Sequence, residues 1–477
     1  MDPKPRSKFD VWLEWSLATI MLSCVLLALI LAAKTAHMRM QFDYEEGNIL
    51  NAGLRITQGQ TPYPAPDGWP VVINPYGPIP YLLTAALIKY FGIGFFALRM
   101  VSIVCAALIA FLIGALIRRS GGSMAIGVVF AGAFLSLGSI RNWMLTSRVD
   151  WLALALSLGG LACFVFWEKR WYAPALLFAS ALLVKYTLVA APVACGLYLM
   201  SRRDWKGLLR LAGTSAAICL VGFLVTQQWS GGHFAFHEFA THPDQYSWAQ
   251  CRQFISRRLG DIPIVFGIAA VGCVAELRRR KITIPVLYFL TATAGALTVG
   301  KSGSSSNHLI EWTAAACWCA GYAWKFVAEW LVSSRLALAA RAVLSGVVAM
   351  AVIAVALYRL PFAERTSCGP VYAYLHGHGD QVLTDSVGAL LLGGKPVLIS
   401  NPFVYTQLVV HAGWPDLQIR DRVRAKEFDV ILLRERIGAY PPGERFTAEA
   451  LGAMRENYHE AAEFECYDSG FAYLPNH

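Results

Sequence analysis

The chain has 477 residues, of which 56% are hydrophobic and 15% charged, where a soluble domain carries about 25% charge. With a mean hydropathy of +0.47, it has too little polar surface to cover a water-soluble core of this length, which excludes a soluble globular protein. The net charge of +10, from 41 Lys and Arg against 31 Asp and Glu, sits in short clusters between apolar spans and reads as membrane topology rather than as a nucleic-acid surface.

The first apolar run, Val11 to Ala33, is too long for the h-region of a cleaved signal and reads as a signal anchor. Further spans are expected at 99–117, 122–139, 151–167, 173–184, 186–200, 208–227, 262–276, 282–299, 308–324 and 340–358, with Lys185 at a bend between two of them. Segment 76–96 reads either as a span or as a surface helix, because it opens with Tyr76, Gly77, Pro78 and Pro80 and contains Lys89. Charge chooses between the two. With 76–96 on the surface and the N-terminus inside, the inner segments hold 18 basic residues in 54 positions and the outer ones 12 in 124, as the positive-inside rule requires. With 76–96 crossing, Arg118, Lys169, Arg202 and Arg278 would all face outward. Eleven crossings follow, N-terminus in and C-terminus out, and all ten histidines then fall on the outer side.

From about Glu364 the composition becomes that of a soluble domain of a size that supports its own core. Strands are expected at Gln381 to Thr384, Pro396 to Ser400, Phe428 to Leu433 and Phe471 to Leu474, alternating with helices near 403–413, 418–427 and 447–457. The expected fold class is an α-helical polytopic membrane protein with juxtamembrane helices (residues 1–360) and a small extracytoplasmic α/β domain (361–477).

Eight of the eleven cysteines lie in apolar spans as small hydrophobes, and no CxxC pattern is present. Cys368 and Cys466 stand near the two ends of the C-terminal domain, where an oxidising compartment permits a bridge if their Cα atoms come within about 7 Å. His233 and His237 have a spacing of four but lack the HExxH pattern and a third firm ligand, so a structural role outweighs a metal site. No metal or other cofactor is implied by any residue pattern, although a divalent ion is compatible with the acidic loop.

That loop reads FDYEEGNILNAGLRITQGQTPYP. Asp43, Glu45 and Glu46 repel one another, which favours one of them staying protonated or meeting a cation; the same residues serve equally well as an acidic cap on the helix that follows. A second motif, Thr146-Ser147-Arg148-Val149-Asp150, opens an apolar span, where the Asp is either an N-cap or a functional carboxylate. Lys185 stands alone between apolar runs, costly unless it snorkels or binds an anion. The Gly- and Ser-rich run 300–306 with Lys301 leads to Asn307, His308 and Glu311; it is either a flexible hairpin or an amide-lined anion loop, and not a Walker A loop.

These motifs together resemble the GT-C fold glycosyltransferases, in particular the dolichyl-phosphate-mannose protein mannosyltransferase-like and aminoarabinose-transferase-like families. The resemblance rests on Glu45-Glu46-Gly47, Gly59, Asn74-Pro75-Tyr76-Gly77-Pro78, Arg148-Val149-Asp150, Lys185 and the 300–311 loop, with Glu-Glu where Asp-Glu is usual. It implies transfer of a sugar from a polyprenyl-phosphate carrier to a lipid, glycan or protein acceptor on the outer face of a membrane, expected to be the bacterial inner membrane. It also implies a catalytic carboxylate among Glu45, Glu46 and Asp43, with Asp150 placing the acceptor. Arg148, Lys185 and Lys301 would lie near the donor phosphate, with Asn307, His308 and Glu311 in the substrate site. Membrane lipids are the expected surroundings and nucleic acid is not a partner. A transporter or lipid flippase, or a non-catalytic membrane scaffold, is the alternative; ionisable residues inside spans would mark the former, whereas here they gather at one face.

Overall fold

The computed structural model describes residues 8–167, 170–241, 245–333, 337–359 and 366–476. Lys169, His242, His477 and the expected domain start at Glu364 lie outside them. Backbone groups in hydrocarbon have no water to bond, so apolar runs satisfy them internally as helices. Each of the eleven apolar runs is helical.

The first part of the chain is built from α1 (Lys8–Ala36), α2 (Tyr44–Thr57), α3 (Pro78–Phe91), α4 (Phe96–Arg119), α5 (Met124–Ser136), α6 (Gly138–Met144), α7 (Val149–Phe166) and α8 (Tyr172–Val184). It continues through α9 (Ala190–Ser201), α10 (Trp205–Trp229), α11 (Trp248–Asp261), α12 (Pro263–Arg278), α13 (Ile284–Ala296), α14 (Ile310–Ser333) and α15 (Ala337–Ala356). Among the described residues, five helices are long and apolar enough to cross a membrane, or seven if each of two bent pairs is one span. This is an integral multi-pass architecture. The bends have local causes. Leu137 is extended between α5 and α6, which meet at 72°. Ile262 precedes Pro263, whose ring disfavours a helical residue before it, and α11 and α12 turn by 97° there.

Segment 76–96 contains α3, which has 14 residues and is about 21 Å long at 1.5 Å per residue. Pro78 occupies its first position and Gly92, at φ 78°, ends it. It lies against α2 and the end of α8, and a Cβ on Gly77 would come within 1.9 Å of the Leu183 carbonyl oxygen.

Past residue 366 the chain forms a four-stranded sheet of β1 (Val382–Thr384), β2 (Val430–Leu433), β3 (Tyr458–Glu463) and β4 (Phe471–Pro475), in the order β1-β2-β4-β3. β1 and β2 are parallel, and β4 is antiparallel to both of its neighbours. The expected strand at 396–400 is not part of it: Ile399 instead makes a single parallel bridge to Val71 of the first loop. Helices at Gly369–His376 and Val387–Leu392 and strand β3 were not anticipated. β3 alternates poorly and is largely exposed, as suits an edge. Val71 and Ile73 are buried in the same apolar cluster as Ile431, Leu433, Leu451 and Met454, so the first loop and the C-terminal segment share a core.

Candidate active site

The sequence offered three carboxylates in the first loop without ranking them, and the structure gives each a different setting. Glu46 is fully buried and both its oxygens are occupied. Arg99 Nε and Nη2 donate to them at 2.9 and 2.8 Å, the Phe42 amide at 2.6 Å and the Ser147 amide at 2.9 Å. Arg99, itself buried, also donates to the carbonyls of Met38 and Met40 and lies 3.5 Å from the centre of the Phe42 ring. The pair pins the α1–α2 strap to the start of α4 and to the 146–148 turn.

Asp43 caps α2, accepting the Glu45 amide at 3.1 Å, while Arg148 Nε and Nη2 donate to its two oxygens at 2.9 and 3.1 Å. Glu45 is buried behind it: Asn401 Nδ2 donates to Oε1 at 3.2 Å, and Oε2 has no hydrogen-bond partner. Burial pushes the Glu45 carboxyl above the usual range and Asp43 adds to this, partly opposed by Arg148.

Asp150, at the start of α7, accepts from Lys185 Nζ at 2.7 Å and Asn307 Nδ2 at 3.1 Å. The bend at Lys185 and the 3₁₀ turn Ser306–Leu309 thus meet at one carboxylate. That turn separates two cavities. Residues three apart eclipse in a 3₁₀ helix; Ser306 and Leu309 face a cavity of about 550 Å³, and Asn307 and His308 face a small one of about 40 Å³ together with Asp150, Lys185 and Glu311. Glu311 accepts from the Tyr288 hydroxyl at 3.3 Å. Lys301 lines neither cavity, and its carbonyl accepts from Gln250 Nε2.

The large cavity is lined by Asp43 and Tyr44 on one side, Asn142, Trp143 and Thr146 beside them, Arg257 and Arg258 of α11, and Asp385, Arg434, Arg445 and Asp468 of the C-terminal segment. Neither Glu45 nor Glu46 lines it. A half-buried carboxylate with an arginine fork across it, at the rim of a roomy polar-walled cavity beside apolar helices, is the equipment of group transfer on a membrane-borne substrate.

Residues 75–301 match the model of glycosyltransferase family 87. The fold is that of ArnT from Cupriavidus metallidurans, both bound to undecaprenyl phosphate and in the apo state. Those two structures match with a TM-score of 0.65 at 13% and 12% identity, covering 94% of this chain and 97% of the other. The chain is a membrane glycosyltransferase of the GT-C fold. The Archaeoglobus fulgidus oligosaccharyltransferase in its apo form is similar at 10% identity and a TM-score of 0.48, covering 92% of this chain and 73% of that one. No curated protein matches.

Sequence reasoning missed several residues that this glycosyltransferase places at the site. Arg99 was legible only as a charge opening an apolar span, which is itself a signal. Arg434, Arg445, Asp385 and Asp468 lie in a segment without a motif and reach the cavity by tertiary packing alone. His237 is a structural pin in the glycosyltransferase: Nδ1 accepts from the Asn74 amide at 3.2 Å and Nε2 reaches the Pro64 carbonyl at 2.8 Å. Burial lowers its pKa to about 4. Among the described residues the one cluster with ligand atoms close enough to share an ion is Cys368, Cys466 and Asp468. Its two cysteines are joined in a disulfide with Cα atoms 4.7 Å apart, which leaves no thiolate to offer.

Proposed function

We propose that this glycosyltransferase takes its sugar from a polyprenyl-phosphate carrier and passes it to an acceptor hydroxyl on the outer face of the bacterial inner membrane, with Asp43 as the general base. The observation that carries the reading is the setting of Asp43, the only one of the three loop carboxylates that lines the large cavity. Arg148 orients it and the α2 amide steadies it, while its remaining lone pairs stay available for the acceptor proton. The acceptor oxygen attacks the anomeric carbon as its proton passes to Asp43, and the carbon–oxygen bond to the lipid phosphate breaks on the opposite side. Inversion at that carbon is the expected outcome. Arg257, exposed on α11 at the cavity wall, is suited to the departing phosphate, since a guanidinium fork matches phosphate oxygens. Asp150, with Lys185 and Asn307, holds the floor between the two cavities and sets where the acceptor sits. The ArnT structure with undecaprenyl phosphate supports the choice of a lipid-phosphate donor by analogy of fold.

The reading includes eleven crossings with the N-terminus cytoplasmic, α3 at the outer surface, and residues from 361 on forming an extracytoplasmic domain. Purified protein in proteoliposomes, given labelled polyprenyl-phosphate sugars and a membrane extract as acceptor source, should release or transfer label. Asp43→Asn should lower that rate by about 100-fold or more. Full activity in Asp43→Asn, or none in the wild type with any lipid-linked sugar, overturns the reading.

A further inference from the structure

The strap that carries Asp43, residues 38–43 between α1 and α2, is held from two sides. On one side Arg99 bonds the carbonyls of Met38 and Met40. On the other, the C-terminal segment holds residues 39–41. Tyr372 donates to the Arg39 carbonyl at 2.5 Å, the Cys368 sulfur rests 3.9 Å from that of Met40, and the Gly388 amide donates to Gln41 Oε1 at 2.8 Å. The central contact is Asp468, whose Oδ2 accepts the Gln41 amide at 3.0 Å, two residues before Asp43. Its Oδ1 lies 2.8 Å from the Cys466 sulfur and 3.6 Å from that of Cys368. Asp468 is buried and, like Gln41 and Asp43, lines the large cavity. The disulfide therefore stands directly behind a carboxylate that holds the strap.

We infer that Asp468 is a positioning residue for the transfer reaction, fixing through the Gln41 amide the direction in which Asp43 enters the cavity, and that its hold depends on the Cys368–Cys466 bridge. The inference rests on the proposed role of Asp43. A dithiol reductant breaks the S–S bond, gives its two hydrogens to form two thiols and is itself oxidised to a disulfide. The freed Cys466 thiol is then a donor beside Oδ1, and the turn that carries Asp468 loses its covalent tie to Cys368. A general base loses rate steeply when displaced, while donor binding elsewhere in the cavity is spared.

The test has two arms. In the first, backbone hydrogen exchange is followed over residues 38–43 in the wild type, in the wild type treated with dithiothreitol, and in Asp468→Ala. Faster exchange of the Gln41 amide in both altered forms is expected, and unchanged exchange overturns the inference whether or not the reading of Asp43 stands. In the second, transfer kinetics should show kcat reduced about 10- to 100-fold in Asp468→Ala, with the donor KM changed less than about twofold. Asp468→Asn, which keeps an acceptor oxygen, should recover most of the loss. Dithiothreitol should lower kcat in the wild type and have no further effect on the Cys368→Ser, Cys466→Ser double variant. If Asp468→Ala does not fold, the reductant series on wild-type protein decides. Equal loss in kcat and rise in KM, or full activity after reduction, overturns the inference.

Discussion

Glu45 and Glu46 are neighbours in sequence, yet one meets an arginine and the other does not, and that difference has measurable consequences. Glu46→Gln leaves the Arg99 guanidinium buried without its counter-charge, which costs about 3 to 5 kcal/mol when one member of a buried pair is removed. The apparent Tm in detergent should fall accordingly, and replacing both Glu46 and Arg99 with leucine should recover much of it. A second buried carboxylate lies outside the reaction altogether. Glu238, in the turn after α10, has an Oε2 with no hydrogen-bond partner, and burial pushes its pKa up to about 8. An unfolded glutamate titrates near 4.3, so the folded protein keeps a proton the unfolded chain has lost across the interval between. Its contribution is fully present below about pH 4.3 and is lost as pH rises through about 8. Tm should therefore decline from pH 5 to pH 9 in the wild type and decline less in Glu238→Gln.

At the scale of elements, the site depends on how short pieces meet the ends of long ones. α3 docks by bringing the Gly77 backbone against Leu183, one residue before the end of α8 and two before Lys185. Gly77 has an ordinary φ of −63°, so the constraint there is space and not backbone freedom. Gly77→Ala should force α3 off the α8 terminus at about 1 to 3 kcal/mol, the usual cost of overpacking. Because Lys185 holds Asp150, transfer activity should fall with it, measured on protein whose fold is checked by circular dichroism. The 3₁₀ turn at Ser306–Leu309 shows the same economy, since one turn of backbone gives Ser306 to one cavity and Asn307 to the other.

For the whole molecule, the proposed orientation makes a labelling prediction. In intact cells, a membrane-impermeant maleimide should label Gln60→Cys in the exposed end of the first loop and leave Arg118→Cys and Arg278→Cys unlabelled until the membrane is permeabilised. Labelling of position 118 from outside would reverse the orientation and remove the basis for an outer-face reaction. The C-terminal segment belongs to the same assembly, because Asn401, Ser400 and Asp468 bond Glu45, Ile73 and Gln41 of the first loop.

The eleven helical apolar runs, the short proline-led α3 and the residues that gather around Asp150 were all legible in the chain. Hydrocarbon imposes helices on apolar runs, proline and glycine punctuate them, and a charge between spans is costly enough to be noticed. The same sequence left Asp43, Glu45 and Glu46 unranked, because their difference lies in Arg99, Arg148 and Asn401, which come from 53 to 356 positions away and carry no shared pattern. It also placed a strand at 396–400, where β-forming residues instead pair once with Val71. Local preference fixes what a segment becomes, whereas the partner that completes a strand or neutralises a carboxylate is chosen only when distant parts of the chain close around it.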